Sequence, residues 1–120
     1  MMSTQQIAAR LADLVGKGEW EAAQRELFAE DAVSIEPDAS EGFAKETKGL
    51  SAIVEKGRKW ESMVEKVHAC SASVPLVAGN AIAMTLAVDL TMKGRGRMQL
   101  AEICVYEVKD GKIASEQFFM

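Results

Sequence analysis

One glutamate stands where an alternating pattern should hold an apolar side chain and another stands just before a proline, and any chemistry is expected to start from these two. Glu102 falls between Leu100 and Cys104 at period-two spacing, so its carboxylate shares a face with Met98, Leu100, Cys104, Tyr106 and Val108. Such a face is either the wall of a pocket or a flaw in a core. A buried charge without a partner is costly, so Glu102 needs either a ligand or a structural hydrogen bond, to Glu116 or to a helix. Glu36 precedes Pro37 at the end of the run Ala32-Val33-Ser34-Ile35-Glu36, whose alternation sets Val33 and Ile35 on one side and Ser34 and Glu36 on the other. It admits two readings: a pocket base or ligand acceptor, and a solvated carboxylate at a loop edge. Two carboxyls brought together share a proton and split their pKa values, which would make one of them a general acid.

The remaining polar residues offer less. His68 is the only histidine, so it cannot head a set of histidine metal ligands. Ser71 and Cys70 lie too close to it along one strand to align as nucleophile against base. A rim or interface position suits it. Asp89, in an apolar strand, is placed to orient His68 or Trp60, or to cross a dimer interface. Trp20 and Trp60 read as core aromatics, with Trp60 alternatively lining a cavity. The run Lys93-Gly94-Arg95-Gly96-Arg97 reads as a solvated turn. Zinc spacing, a phosphate-cradling glycine loop and a dinucleotide fingerprint are all missing, so no cofactor and no metal is implied.

The elements that must position these groups follow from length and periodicity. A chain of 120 residues with 48% hydrophobic content is expected to fold as one domain, 1–120, around a single core. Its net charge of -4 argues against nucleic acid and anionic lipid as partners, leaving a small organic ligand or a second copy of the chain. Met1 to Gln6 lacks a basic stretch followed by an apolar one, and no apolar run reaches membrane-spanning length. A soluble, cytoplasmic protein is expected. Cys70 and Cys104 sit on different strands without a C-x-x-C pairing and are expected to be reduced, part-buried thiols.

Ile7, Leu11, Leu14 and Val15 recur at helical spacing after a Ser3–Gln6 capping box, which predicts a helix from Thr4 to Val15. Gly16 and Gly18 stop it, and Trp20, Ala23 and Leu27 mark a second helix with Glu21 placed to pair with Arg25. The Ala32–Pro37 strand and a polar loop or weak edge hairpin over Asp38 to Lys48 come next. Gly49 opens a third helix with the stripe Leu50, Ile53, Val54, Gly57, Trp60 and Val64; Gly57 suggests close approach to another backbone. Strands are expected near 65–77, 81–92, 97–109 and 112–120, with both faces of the central ones apolar. The outer face is therefore expected to be buried in a homodimer.

On this layout the chain resembles the nuclear transport factor two-like superfamily, and within it the SnoaL-like and ketosteroid isomerase-like proteins. The resemblance rests on Leu14-Val15-x-x-Gly18-x-x-Glu21-Ala22, Phe28-Ala29-x-Asp31-Ala32-Val33 with Pro37, Gly49-x-x-Ala52-Ile53 and Val108-x-x-Gly111-Lys112-Ile113, in that order. It implies an α+β fold in which a cone-shaped, curved antiparallel sheet wraps around three N-terminal helices and encloses a ligand pocket. It also implies that the carboxylate before the first-strand proline, Glu36, is the base that moves a proton next to a ketone. The oxyanion donors of ketosteroid isomerase-like enzymes, a tyrosine and a protonated aspartic acid, fall on Leu11 and Cys104. Steroid isomerisation itself is therefore not expected.

The turn at Asp110-Gly111 decides what faces Glu102, because a one-residue slip inverts the last strand. A three-residue turn with a bulged Gly111 is expected, since it brings Glu116, Phe118 and Met120 inward as the resemblance implies. The expected site has Glu36 and Glu102 as catalytic carboxylates, with Leu11, Trp60, Leu100, Cys104, Glu116, Phe118 and Met120 lining an apolar pocket. Two functions fit it: a proton-shuttling isomerase, cyclase or lyase, and a non-catalytic ligand-binding or structural dimer module.

Overall fold

A computed structural model describes residues 1–40 and 42–120; Glu41, within the expected polar loop, lies outside the described residues. Helix α1 (Thr4–Gly16) starts at the expected capping box, with Ser3 Oγ accepting from the Gln6 amide at 3.1 Å and Gln6 Oε1 accepting from the Ser3 amide at 2.8 Å. Its stripe of Ile7, Leu11, Leu14 and Val15 is buried. Helix α2 (Trp20–Leu27) runs back beside it, and Arg10 bridges the pair to Glu26 at 2.7 Å. Glu21 pairs with Arg25 as expected and also with Arg58 of α3 (Leu50–Ser62), at 2.8 Å, so one exposed carboxylate joins two helices. Gly57 does not meet another backbone: its nearest neighbour across the helices is the Gln24 side chain.

The strands are β1 (Phe28–Ile35), β2 (Glu46–Lys48), β3 (Val64–Ala72), β4 (Leu76–Ala78), β5 (Ala81–Met92), β6 (Gly96–Lys109) and β7 (Lys112–Phe119). The expected strand 65–77 is split at Ser73-Val74-Pro75, where proline has no amide to give to a ladder. The sheet order is β2-β1-β7-β6-β5-β3, with β4 also on β5. Its curved, unclosed surface carries the helices on one side, α1 over β3 and β5 and α3 over β1 and β2. The α+β cone is as expected, but the sheet is mixed rather than antiparallel. β1 and β7 pair in parallel, which is possible because nearly the whole chain serves as their crossover. Among the described residues no helix is long and apolar enough to cross a membrane.

The final hairpin differs from expectation in the place of its extra residue. Asp110 and Gly111 both take positive φ, 52° and 74°, and Lys109 pairs with Lys112, so the connection is a tight two-residue turn without a bulge at glycine. Carried on unbroken, that register would set Ser115 opposite Tyr106. Instead the ladder shifts after Val108↔Ile113, so that Glu107 meets Ser115, Tyr106 meets Glu116 and Cys104 meets Phe118. The bulge falls at Ala114 and turns Glu116 and Phe118 inward while Ser115 and Gln117 face out. This phase turns the apolar Phe118 inward together with Glu116, which finds a partner in Ser34, and leaves Ser115 and Gln117 on the outer face.

Candidate functional site

The site is assembled where three strands bring their inward faces beneath α3. On β1 the inward alternation is Ala32 and Ser34, both wholly buried, followed by Glu36 just past the strand. Ser34 stands in parallel register with Glu116 of β7, and its hydroxyl lies 2.7 Å from Glu116 Oε1. From α3, Lys56 reaches down to put its Nζ 2.7 Å from Ser34 Oγ and 3.1 Å from Glu36 Oε1. An ammonium can only donate, so Ser34 Oγ accepts from Lys56 and turns its own hydrogen toward Glu116. The direction of the chain Lys56 to Ser34 to Glu116 is thereby fixed by chemistry alone.

Glu102, on β6 beside Glu36, is half-buried. Burial pushes its carboxyl above the usual range, and the Glu36 charge pushes it further, against weaker opposition from a Cys104 hydrogen bond and the Lys56 charge. The Cys104 Sγ lies 3.7 Å from Glu102 Oε1. Glu116 is more affected: burial raises it to about 7, although the Ser34 hydrogen bond and Lys56 both favour its ionised form. Burial first, and neighbouring carboxylates second, also push the Cys104 thiol and the Tyr106 phenol upward, so both keep their protons. The result is one ammonium serving three carboxyls, two of them held toward the neutral form.

Of the expected site residues, Glu36, Glu102, Glu116 and Cys104 come together. Leu11 is packed into the core at 1% exposure, while Leu100 and Phe118 are half-buried on the inward faces of β6 and β7. Along the inward face of β6 Cys104 is buried while Glu102, Leu100 and Met98 are each partly exposed, so this end of the face is the more open one. Trp60 packs edge-to-face on Trp20 with ring centroids 5.5 Å apart. Met120 follows β7 at 71% exposure and stands apart from the cluster. Asp89 is held by Arg97 at 2.8 Å rather than orienting Trp60, and His68 shares a 2.7 Å contact with Thr91 at the surface. A cleft of about 480 Å³ between α3 and the β2 side is lined by Phe43, Thr47, Ala52, Lys56 and Lys59; it reaches Lys56 but none of the three glutamates. Among the described residues no three acidic, histidine or cysteine side chains converge closely enough to hold a metal ion.

Lys56 was not visible as a site residue. Its one signal is helical spacing: it lies three residues after Ile53 and four before Trp60, at the border of the buried stripe. Ser34 was placed on the same side as Glu36 by alternation, but nothing marked it as a bridge to a residue 82 positions away.

A family model for the SnoaL-like domain matches residues 2–120. Among solved structures, a candidate SnoaL-like polyketide cyclase from Mesorhizobium loti, also described as a carbohydrate phosphatase, is 32% identical, covers 99% of this chain and 100% of its own, and has a TM-score of 0.88. A candidate isomerase from Bacillus subtilis is 21% identical over 98% of this chain and 88% of its own, with a TM-score of 0.73. A nuclear transport factor two-like protein of unknown function from Burkholderia pseudomallei is 13% identical over 99% and 92%, at a TM-score of 0.81. The last two are similar in fold alone. No curated protein matches the chain.

Glu116 ties stability to pH. Its proton leaves near 4.5 in the unfolded chain and near 7 in the fold. Between those values the native state binds more protons than the unfolded one, so this group makes stability fall as pH rises through that window and level off above it. Glu116→Gln keeps an oxygen for Ser34 without a charge. It is expected to be more stable than the parent by about 1–3 kcal/mol near pH ~8 and to lose that advantage near pH ~4, as read from urea melts.

Proposed function

Because the chain belongs to the SnoaL-like family, we propose that it binds a small carbonyl compound at the open end of its cone and moves a proton on it, as an isomerase, cyclase or lyase. The observation that carries this reading is the convergence of Glu36, Glu102 and Glu116, from three strands, on one buried-edge ammonium. Glu36 keeps 28% of its side chain exposed and is paired with Lys56, as suits a base that must meet its substrate while ionised. Glu102, held toward its neutral form beside half-buried Leu100, is the acid that returns the proton. Trp60, Leu100 and Phe118 supply apolar contact, with Leu11 and Cys104 as the floor. Residues 1–120 form one domain, and no cofactor or nucleic acid takes part.

The polyketide cyclase name of the Mesorhizobium loti protein fits this reading, because closing a ring on a polyketone also begins with loss of a proton next to a carbonyl. A second reading, a binding module without turnover, is favoured by one observation. On the resemblance, the oxyanion-donor positions of ketosteroid isomerase-like enzymes fall on Leu11 and Cys104, and Leu11 is an apolar side chain buried in the core. A panel of small ketones and diketones, screened by thermal shift and then by deuterium exchange next to the carbonyl, separates the two. Glu36→Gln is expected to keep binding while exchange falls about 100-fold or more. Binding without exchange in the parent chain would favour the module, and no binding across the panel would count against both.

The protein is further proposed to be a cytoplasmic homodimer. Free thiols at Cys70 and Cys104 suit a reducing compartment. Across the outer face, Thr85, Ile103 and Phe119 lie in one row of the ladder beside Ala87 and Ala101, with Ile103 49% and Phe119 47% exposed. A flat apolar patch of this kind suits a two-fold contact with itself. Light scattering is expected to give a dimer for the parent chain and a monomer for Ile103→Lys; a parent chain that stays monomeric at high concentration contradicts it.

A further inference from the structure

We propose that Lys56 is the positioning residue of the carboxylate cluster: its ammonium pairs with Glu36 at the rim and, through Ser34, sets how firmly Glu116 keeps the proton stored beneath it. The proposal rests on the functional reading above and adds to it the division of labour among the three glutamates.

The geometry leaves little freedom. Two of the three ammonium hydrogens are committed, one to Glu36 Oε1 at 3.1 Å and one to Ser34 Oγ at 2.7 Å, with 15% of the Lys56 side chain exposed. Ser34, wholly buried, accepts that bond and passes its own hydrogen to Glu116 Oε1 at 2.7 Å. Oε1 is therefore an acceptor, and a proton carried by Glu116 sits on Oε2. Lys56 thus bears on two carboxyls, pairing with Glu36 by direct contact and favouring negative charge on Glu116 through a polarised hydroxyl. The groups that face Glu116 are Ser34 and Glu36 from β1, Lys56 from α3, and Glu102, Cys104 and Tyr106 from β6. Lys56 is the one cation among them. The carboxylates oppose its effect, and the two chains of influence meet on the same buried group.

Lys56 also lines the cleft between α3 and the β2 side, which none of the three glutamates lines. A residue that only filled space or supported the fold would leave the proton affinity of Glu116 alone once the fold was kept. A positioning residue would not.

The test is a carboxyl-carbon NMR titration of the full chain without ligand, with thermal melts to certify folding. Lys56→Met is expected to raise the Glu116 midpoint by about one pH unit, a tenfold weaker acid, and Lys56→Arg, which keeps the charge, to return most of that shift. Ser34→Ala is expected to move Glu116 the same way by cutting the bridge. A Glu116 midpoint unmoved in folded Lys56→Met, or moved equally in Lys56→Arg, overturns the proposal. Should Lys56→Met fail to fold, Lys56→Gln decides: an upward shift of the Glu116 midpoint supports the proposal and a fixed midpoint overturns it. No ligand enters the measurement, so its failure is separate from that of the ketone screen. A chain that titrates as expected yet binds no ketone would lose the proposed reaction and keep the role of Lys56.

Discussion

One ammonium cannot fully neutralise three carboxyls, and the arrangement around Lys56 follows from that shortage. The nearest carboxyl, Glu36, takes the direct ion pair and stays near solvent. The deepest, Glu116, receives help only through Ser34, and burial wins over that help to push it up to about 7. Glu102 lies between, opposed by the Glu36 charge and by its own partial burial. Burial, more than contact with the single cation, thus sets Glu102 and Glu116 apart from Glu36. A buried ion pair by itself is weak evidence of stability, since desolvation offsets attraction. What such a cluster does well is keep one carboxyl charged and another protonated within reach of the same molecule.

The fold delivers this arrangement by two choices of register. Parallel pairing of β1 with β7 sets Ser34 beside Glu116, two residues that local structure would never bring together. The bulge at Ala114 decides that Glu116, and not Ser115, is the residue of β7 that faces inward. Losing the first would detach β1 and β2 from the sheet, and losing the second would turn Glu116 outward; either disperses the cluster. The helices complete it from above: α3 is anchored by Ile53 and Val54 in the core and by Arg58 to Glu21 at its side, which aims Lys56 at the β1 face. The apolar core beneath is ordinary in composition, with Ile7, Leu11, Leu27, Ile82 and Ile113 almost fully buried. Each such side chain contributes roughly 1.5–3 kcal/mol relative to exposure, enough to hold a few strained polar groups in place.

Much of this was legible in the chain itself, for identifiable reasons. Period-two alternation set Glu102 on the face of Leu100, Cys104 and Tyr106 and Glu36 on the side of Ser34, the resemblance alone pointed Glu36 into a pocket, and the capping box at Ser3 and the Asp110-Gly111 turn marked element ends to within a residue or two. Those signals are local. A bulge at Gly111 is the reading that turns Glu116, Phe118 and Met120 inward as the resemblance implies, but the pair Asp-Gly satisfies a tight turn outright and the extra residue falls at Ala114 instead. Lys56 was hidden because a lysine bordering an apolar stripe normally turns its charge to water. Only the long-range closure of β1 on β7 supplies the hydroxyl and carboxylate that draw it inward, and no local pattern encodes that pairing.

The central claim is that Lys56 and Glu116 are energetically joined through Ser34. A double-mutant cycle between Lys56→Met and Glu116→Gln, measured by urea unfolding near pH ~8 where Glu116 is charged, tests it directly. A favourable coupling of about 1 kcal/mol is expected, falling markedly when the same cycle is run in a Ser34→Ala background. Additive effects of the two substitutions, or a coupling that is indifferent to Ser34, would contradict it.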